Sequence, residues 1–295
     1  MSDPWLALGL VLATFGALLA IFSIIAPLLQ PEHLRKGIHI TMGLTTLSFP
    51  WLFNSPWPVV VVGCASALAF LGLRLRFILF RRLAKAMQNI GRLSVGEYCF
   101  VAAVCIVFVL SEDDPVLYCI PILLLTLADS AAALIGTAYG HHRYLTMGYY
   151  KTLEGSTAFF IVAFACIALP LAWFTPASYP ESFAVAALIA LAVTVLEAAI
   201  GGGFDNLFVP LGAFAAIKAT GLTANQPAAL DSGSPLVVAA LSVVAALLVL
   251  LVAVLASWRQ TSALGNSRAR NWWSSPTLRA GVKRPRRASK ARRGS

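Results

Sequence analysis

Charge is what this chain has least of. Asp, Glu, Lys and Arg make up 12% of its 295 residues, against about 25% in an ordinary soluble domain. With 59% hydrophobic residues and a mean hydropathy of +0.81, that scarcity excludes a water-soluble globular fold. Cysteine is also sparse. The five cysteines (Cys64, Cys99, Cys105, Cys119 and Cys166) are odd in number and form no C-x-x-C pair. They lie in or beside apolar runs, which excludes a disulfide framework and makes them small buried hydrophobes. The four histidines are too scattered for a zinc site. No G-x-x-x-x-G-K-[ST] and no G-x-G-x-x-G occurs, so the soluble nucleotide-binding folds are excluded too. The opening Met-Ser-Asp-Pro-Trp lacks a basic n-region and any Arg/Ser-rich character. Neither a cleaved signal nor a transit peptide is expected.

What is present is a series of apolar runs of roughly 20 residues, the length that crosses a bilayer as a helix. They predict an all-α, polytopic helical membrane protein with about nine transmembrane helices. The expected spans are Trp5–Leu28, Lys36–Phe53, Pro58–Leu73, Val95–Leu110, Val116–Tyr139, Ser156–Phe174, Ser182–Ile200, Leu207–Thr220 and Pro235–Trp258. Loop charge sets the orientation. The connections after spans one, three and five hold Arg35, Lys36, Arg74, Arg76, Arg81, Arg82, Lys85, Arg92, Arg143 and Lys151. The alternate connections hold almost no cations, with Lys218 the exception, and one is acidic (Glu112, Asp113, Asp114). The N-terminus is therefore expected outside and the C-terminus in the cytoplasm, in a prokaryotic cell membrane. In residues 74–92 basic and apolar residues recur at roughly helical spacing, as in an interfacial helix or an extension of span three. Half of the 22 Lys and Arg lie from Arg259 onward, including Lys283-Arg-Pro-Arg-Arg287. This tail is expected to be disordered and to touch anionic lipid rather than nucleic acid.

Polar residues inside this apolar frame form the candidate site. An ionisable side chain at the centre of a span costs about 2.5–3.5 kcal/mol, so it is a functional candidate by default. Asp129 and Glu197 are the clearest. Arg35 and His39 lie about 40° apart on one helix face, with Lys36 between them. Asp129, Ala133, Gly136 and Gly140 share another face, which serves helix packing or admits a ligand. If the helix continues to Tyr139, Asp129 stands about 15 Å above its inner end. The site then dips into the bilayer, or the helix breaks near Gly136. Lys151, Glu154, Gly155 and Ser156 open span six, where free backbone N–H groups attract anions; Ser156 alone also reads as a helix cap. The Gly201-Gly-Gly-Phe-Asp-Asn206 turn permits a tight reversal, and its Asp205–Asn206 pair suits magnesium or a nucleobase. His141 and His142 read as loop residues.

Four motifs in order resemble the phytol kinase and dolichol kinase family of polyprenol kinases, and most closely its phytol/farnesol branch. They are Arg35-Lys-x-x-His39, Asp129-x-x-Ala-x-x-x-Gly136-x-x-x-Gly140, Lys151-x-x-Glu-Gly-Ser156 and Glu197-x-x-x-Gly-x-x-x-Asp205-Asn206. The resemblance covers roughly residues 30–220, which makes that stretch the catalytic domain. Residues 1–29 are then a first helix, 221–258 a loop and additional helix, and 259–295 the basic tail. The resemblance implies phosphoryl transfer from CTP to the hydroxyl of an isoprenoid alcohol such as phytol, farnesol, geranylgeraniol or a polyprenol. It makes Asp129, Glu197 and Asp205 candidate Mg²⁺ ligands. Arg35, Lys36 and Lys151 become candidate phosphate partners. Glu154 or His39 would orient or deprotonate the alcohol, and the Gly136–Gly140 face would admit the nucleotide. Expected partners are the lipid alcohol, the nucleotide and membrane lipids; the sequence indicates no protein partner. Two rivals fit the same residues: another CTP-using lipid enzyme (diacylglycerol kinase or phosphatidate cytidylyltransferase), and an ion-coupled transporter with Asp129 and Glu197 as its carboxylates.

Overall fold

Most helices begin where a polar cap or a proline dictates, a few residues before the apolar run. A computed structural model describes residues 3–74, 95–222 and 224. Helix α1 (Pro4–Ile25) opens with Asp3 accepting from the Trp5 N–H at 2.9 Å and with proline in its first turn, where the missing N–H is no loss. Helix α2 (Pro31–Thr46) starts on Pro31. Pro50 removes a helical donor just after it, and the chain continues as a separate turn, α3 (Phe49–Leu52). Helices α4 (Pro56–Arg74) and α5 (Gly96–Leu110) follow. Helix α6 (Pro115–Leu123) is capped by Asp114, which accepts from the Val116 and Leu117 N–H groups.

One irregular turn interrupts the next span. Residues Leu124–Ala128 form a π-helical stretch in which the Asp129 N–H donates to the Leu124 carbonyl, five residues back. Helix α7 (Asp129–Tyr139) resumes directly on the carboxylate. Such widened turns occur mostly as single insertions in α-helices, often at functional sites. The expected break near Gly136 is not found. Helix α7 runs unbroken past that residue, and the irregularity sits immediately before Asp129 instead.

The chain is not wholly α. Strands β1 (Arg143–Thr146) and β2 (Tyr149–Thr152) pair antiparallel, with Tyr144 opposite Lys151. They turn through Met147 and Gly148, both at positive φ, the geometry of a two-residue hairpin turn. Helix α8 (Leu153–Phe174) begins at once, capped by Thr152, whose hydroxyl accepts the Gly155 N–H at 3.1 Å. Ser156 is therefore not the cap. Helix α9 (Tyr179–Ala199) starts from Ser178, and α10 (Asp205–Thr220) closes on Gly221 in the left-handed region.

One apolar core joins α1, α5, α6, α8, α9 and α10 around Tyr118, Phe159, Ile120 and Ile167. A smaller one seats Leu18 and Phe22 of α1 on Leu34, Ile38 and Met42 of α2. Among the described residues, four helical stretches are long and apolar enough to cross a membrane: Pro4–Leu28, Pro115–Tyr139, Leu153–Phe174 and Tyr179–Ala199. Large apolar side chains also point outward, among them Ile161, Leu188, Leu191 and Val195. In water such a surface would aggregate; in hydrocarbon it is the solvated one. The interfacial helix expected over 74–92, the ninth span and the basic tail concern residues outside those described, apart from Arg74 at the end of α4.

Candidate active site

Two lysines and three carboxylates, drawn from α2, α7, β2, α9 and α10, make the polar centre of the bundle. Lys36 and His39 stand one helical turn apart on α2, so both reach α7. The Lys36 Nζ lies 2.5 Å from Asp129 Oδ2 and 3.3 Å from the Asp129 carbonyl. Lys36 is 2% exposed, a depth at which an ammonium needs a partner. The His39 Nε2 lies 2.8 Å from the Leu125 carbonyl in the π-turn and 3.5 Å from Asp129 Oδ2. A carbonyl only accepts, so Nε2 carries a proton and Nδ1 is the ring nitrogen left to take one. The Phe100 ring holds the imidazole edge-on at 4.6 Å.

The second cluster depends on the hairpin. Lys151, the third residue of β2, donates from Nζ to Glu197 Oε1 at 2.7 Å, to Asp205 Oδ2 at 3.3 Å and to the Glu197 carbonyl. Burial pulls its ammonium towards the neutral form. Glu197 and Asp205 outweigh that and hold its pKa above the ordinary 10.5. The hairpin is itself anchored at the α9–α10 turn. The Thr146 hydroxyl donates to the Ala199 carbonyl at 2.8 Å, and the Tyr149 side chain lies so close that a Cβ on Gly201 would come within 2.9 Å of its ring and one on Gly202 within 2.9 Å of its hydroxyl. The triple glycine thus serves close approach as well as chain reversal. Asn206 donates from Nδ2 to the Gly96 carbonyl at 3.0 Å, tying the start of α10 to the start of α5. At the opposite end of these helices, Lys218 meets Glu112 at 3.2 Å. The one cation that broke the loop-charge pattern is therefore paired within the acidic loop.

Several expected residues do other work. Arg35 is held by Glu32, with contacts of 2.6 and 3.2 Å. Glu154 accepts from the His142 N–H at 3.1 Å and lies 2.8 Å from its Nδ1, so His142 is a partner and not merely a loop residue. Ser156 bonds the Tyr144 hydroxyl at 2.6 Å. Gly136, Gly140 and Gly155 make a close contact between elements. A Cβ on Gly136 would sit 2.9 Å from the Thr152 hydroxyl, and one on Gly155 would sit 2.9 Å from the Ala132 carbonyl. Thr152 and Gly155 lie beside Gly136, and Thr152 beside Gly140, so this face packs the start of α8 onto α7. Sequence reasoning missed Tyr144, Thr146 and Tyr149. The alternation of aromatic and β-branched residues around Met147-Gly148 was the available hairpin signal.

A divalent metal would find its donors in the carboxylates of this centre. Among the described residues no three acidic, histidine or cysteine side chains converge as a preformed site. Yet Glu197 Oε2 is buried without a hydrogen-bond partner, and Glu197 and Asp205 face one ammonium. Mg²⁺ is commonly held by one or two carboxylates completed by substrate phosphate, and these two fit that pattern.

Fold and site together define a helical membrane protein with a buried, ion-paired polar centre. No protein-family model and no solved structure matches it. The chain is 30% identical over 218 residues to the phytol kinase of Synechocystis sp., an alignment covering 70% of this chain and 88% of that protein. The chain belongs to the phytol kinase family of polyprenol kinases.

Proposed function

We propose that this protein transfers the terminal phosphoryl group of CTP to the hydroxyl of an isoprenoid alcohol at the cytoplasmic boundary of its membrane. The observation that carries the reading is the convergence of Lys36–Asp129 and Lys151–Glu197–Asp205 at the centre of a chain related to a phytol kinase. Phosphoryl transfer asks for positioning and charge neutralisation more than for covalent chemistry, and this centre supplies both signs of charge. The alcohol oxygen bonds to the γ-phosphorus, the bond from that phosphorus to the β–γ bridging oxygen breaks, and CDP leaves. The alcohol proton passes to a base, giving the lipid monophosphate. His39 is better placed for that role than Glu154, because it adjoins Asp129 while Glu154 is engaged by His142. Lys36 and Lys151 would bind phosphate oxygens. Mg²⁺, held by Glu197 and Asp205, would neutralise charge developing on the phosphates.

The test is purified protein in lipid nanodiscs with labelled CTP or ATP and, separately, phytol, farnesol, geranylgeraniol or diacylglycerol. An isoprenoid monophosphate formed preferentially from CTP is the expected product. No phosphorylated lipid from any pair sinks the reading, and product from diacylglycerol alone moves the protein to a different lipid kinase. Among the described residues the two ion-paired clusters gather at one polar centre, which favours a kinase over a coupled transporter.

A further inference from the structure

An antiparallel pair with one face in water is commonly apolar inside and polar outside. The β1–β2 hairpin is sorted the other way. Its register puts Tyr144 opposite Lys151 and Thr146 opposite Tyr149 on one face, and Leu145 opposite Tyr150 on the other. The first face turns inward, and each of its members has a contact there. Tyr144 meets Ser156, Thr146 meets the Ala199 carbonyl, Lys151 meets Glu197 and Asp205, and Tyr149 lies on the glycine turn. The second face turns outward, with Leu145 62% and Tyr150 67% exposed. Arg143 and Thr152 continue that face towards the helices, where Thr152 packs beside Gly136 and Gly140. Polar side chains therefore fill the inner face, while a leucine and a tyrosine look out.

We infer that this outer face lies against the headgroup layer of the bilayer, so that the hairpin is held between lipid on one side and the Glu197–Asp205 pair on the other. Its place in the chain selects lipid as the partner. The hairpin joins two stretches long and apolar enough to cross a membrane, Pro115–Tyr139 and Leu153–Phe174, and β2 runs into the second without a linker. Tyr150 is three residues from Leu153, about 10 Å of extended strand. The interfacial layer on each side of a bilayer is about 5–8 Å thick, so the Leu145–Tyr150 pair comes at its depth. The outward apolar surface is also continuous, because Leu153 and Ile161 carry it from Tyr150 along α8, and Tyr139 is exposed at the end of α7. Tyrosine at the end of a span is what the interface favours, with its ring in the apolar layer and its hydroxyl in water. Arg143, an exposed cation at the head of β1, complements anionic headgroups. Tyr150 and Lys151 are consecutive, so lipid contact and ion pairing restrain the same strand. The inference goes beyond the phosphoryl-transfer reading and does not depend on it.

The experiment places the photo-crosslinker p-benzoylphenylalanine at position 145 and, separately, at position 150 of the full chain. Each variant is irradiated in nanodiscs of phosphatidylcholine and phosphatidylglycerol and mapped by mass spectrometry. A peptide carrying the probe and gaining the mass of one phospholipid, at both positions, is the expected result. A crosslinked dimer assigns the face to a second copy of the chain and overturns the inference. So does the absence of a lipid adduct at both positions. The unaltered protein supplies a second readout that no folding defect can blur. Hydroxyl-radical footprinting in the same nanodiscs should show loss of Tyr150 oxidation relative to a tyrosine free in water. Oxidation of Tyr150 at the rate of free tyrosine overturns the inference.

Discussion

At the scale of single residues, the buried charges at the site have partners of opposite sign, with Glu197 and Asp205 sharing Lys151, and breaking a pair has two separable effects. Asp129→Asn keeps the shape of the side chain but leaves Lys36, 3% exposed in its side chain, without a counter-charge. The proposed reaction should slow by about 100-fold or more, and the unfolding midpoint in detergent should fall. Labelled phosphate transfer reads the first and thermal unfolding the second; unchanged transfer removes Asp129 from the mechanism. Lys151→Met leaves Glu197 and Asp205 facing each other unpaired. Removing one partner of a buried pair costs about 3–5 kcal/mol. The double variant Lys151→Met/Glu197→Gln should lose less than the sum of the single changes, because the two residues share one interaction. With the Lys151 pKa held above 10.5, its contribution is fully present below the unfolded value. It is lost only as pH rises through the folded one, so neutral pH leaves the cluster intact.

At the scale of elements, the close contacts are between backbones. The first turn of α8 rests on α7 through Gly136 and Gly155, with the Ala132 carbonyl as the immovable neighbour. Gly155→Ala should therefore destabilise the protein by about 1–3 kcal/mol, with or without nucleotide. A midpoint unchanged in unliganded Gly155→Ala, with only nucleotide binding lost, would favour the cradle role over packing. The hairpin positions Lys151 through contacts at its far end, where Tyr149 covers the glycine turn and Thr146 reaches Ala199. The π-turn aims a carbonyl at His39 and so fixes which ring nitrogen carries the proton.

At the scale of the whole molecule, the solvent decides the outer surface. Helix packing in lipid draws on van der Waals contact and polar pairs, because the tails are as apolar as leucine. That suits a bundle with outward-facing leucines and a polar centre. Leu188, 70% exposed near the middle of α9, is predicted to face hydrocarbon. Leu188→Arg should cost about 2.5–3.5 kcal/mol of insertion, read as loss of membrane-inserted protein in a glycosylation-reporter assay. A substitution that inserts as well as the parent would place this face elsewhere.

The eight helical regions expected within residues 5–220 all appear, because composition and run length suffice where hydrocarbon is the solvent. Most of these helices start up to five residues before the expected span, since hydropathy registers the first apolar residue and not the cap before it, as at Ser178 and Pro31. The site residues were legible as types: charge inside an apolar span is conspicuous on its own. Their partners were not. Lys36 meets Asp129 93 positions away, and nothing local selects Asp129 over Glu197. The glycine face shows the same limit, because spacing puts small residues on one side of α7 but only the arrival of α8 decides what fills it. The sequence alone determined that this is a helical membrane protein with costly charges in its frame. Tertiary structure decided which charge neutralises which and that a hairpin carries Lys151 to two carboxylates, because those depend on distances between elements that no local pattern encodes.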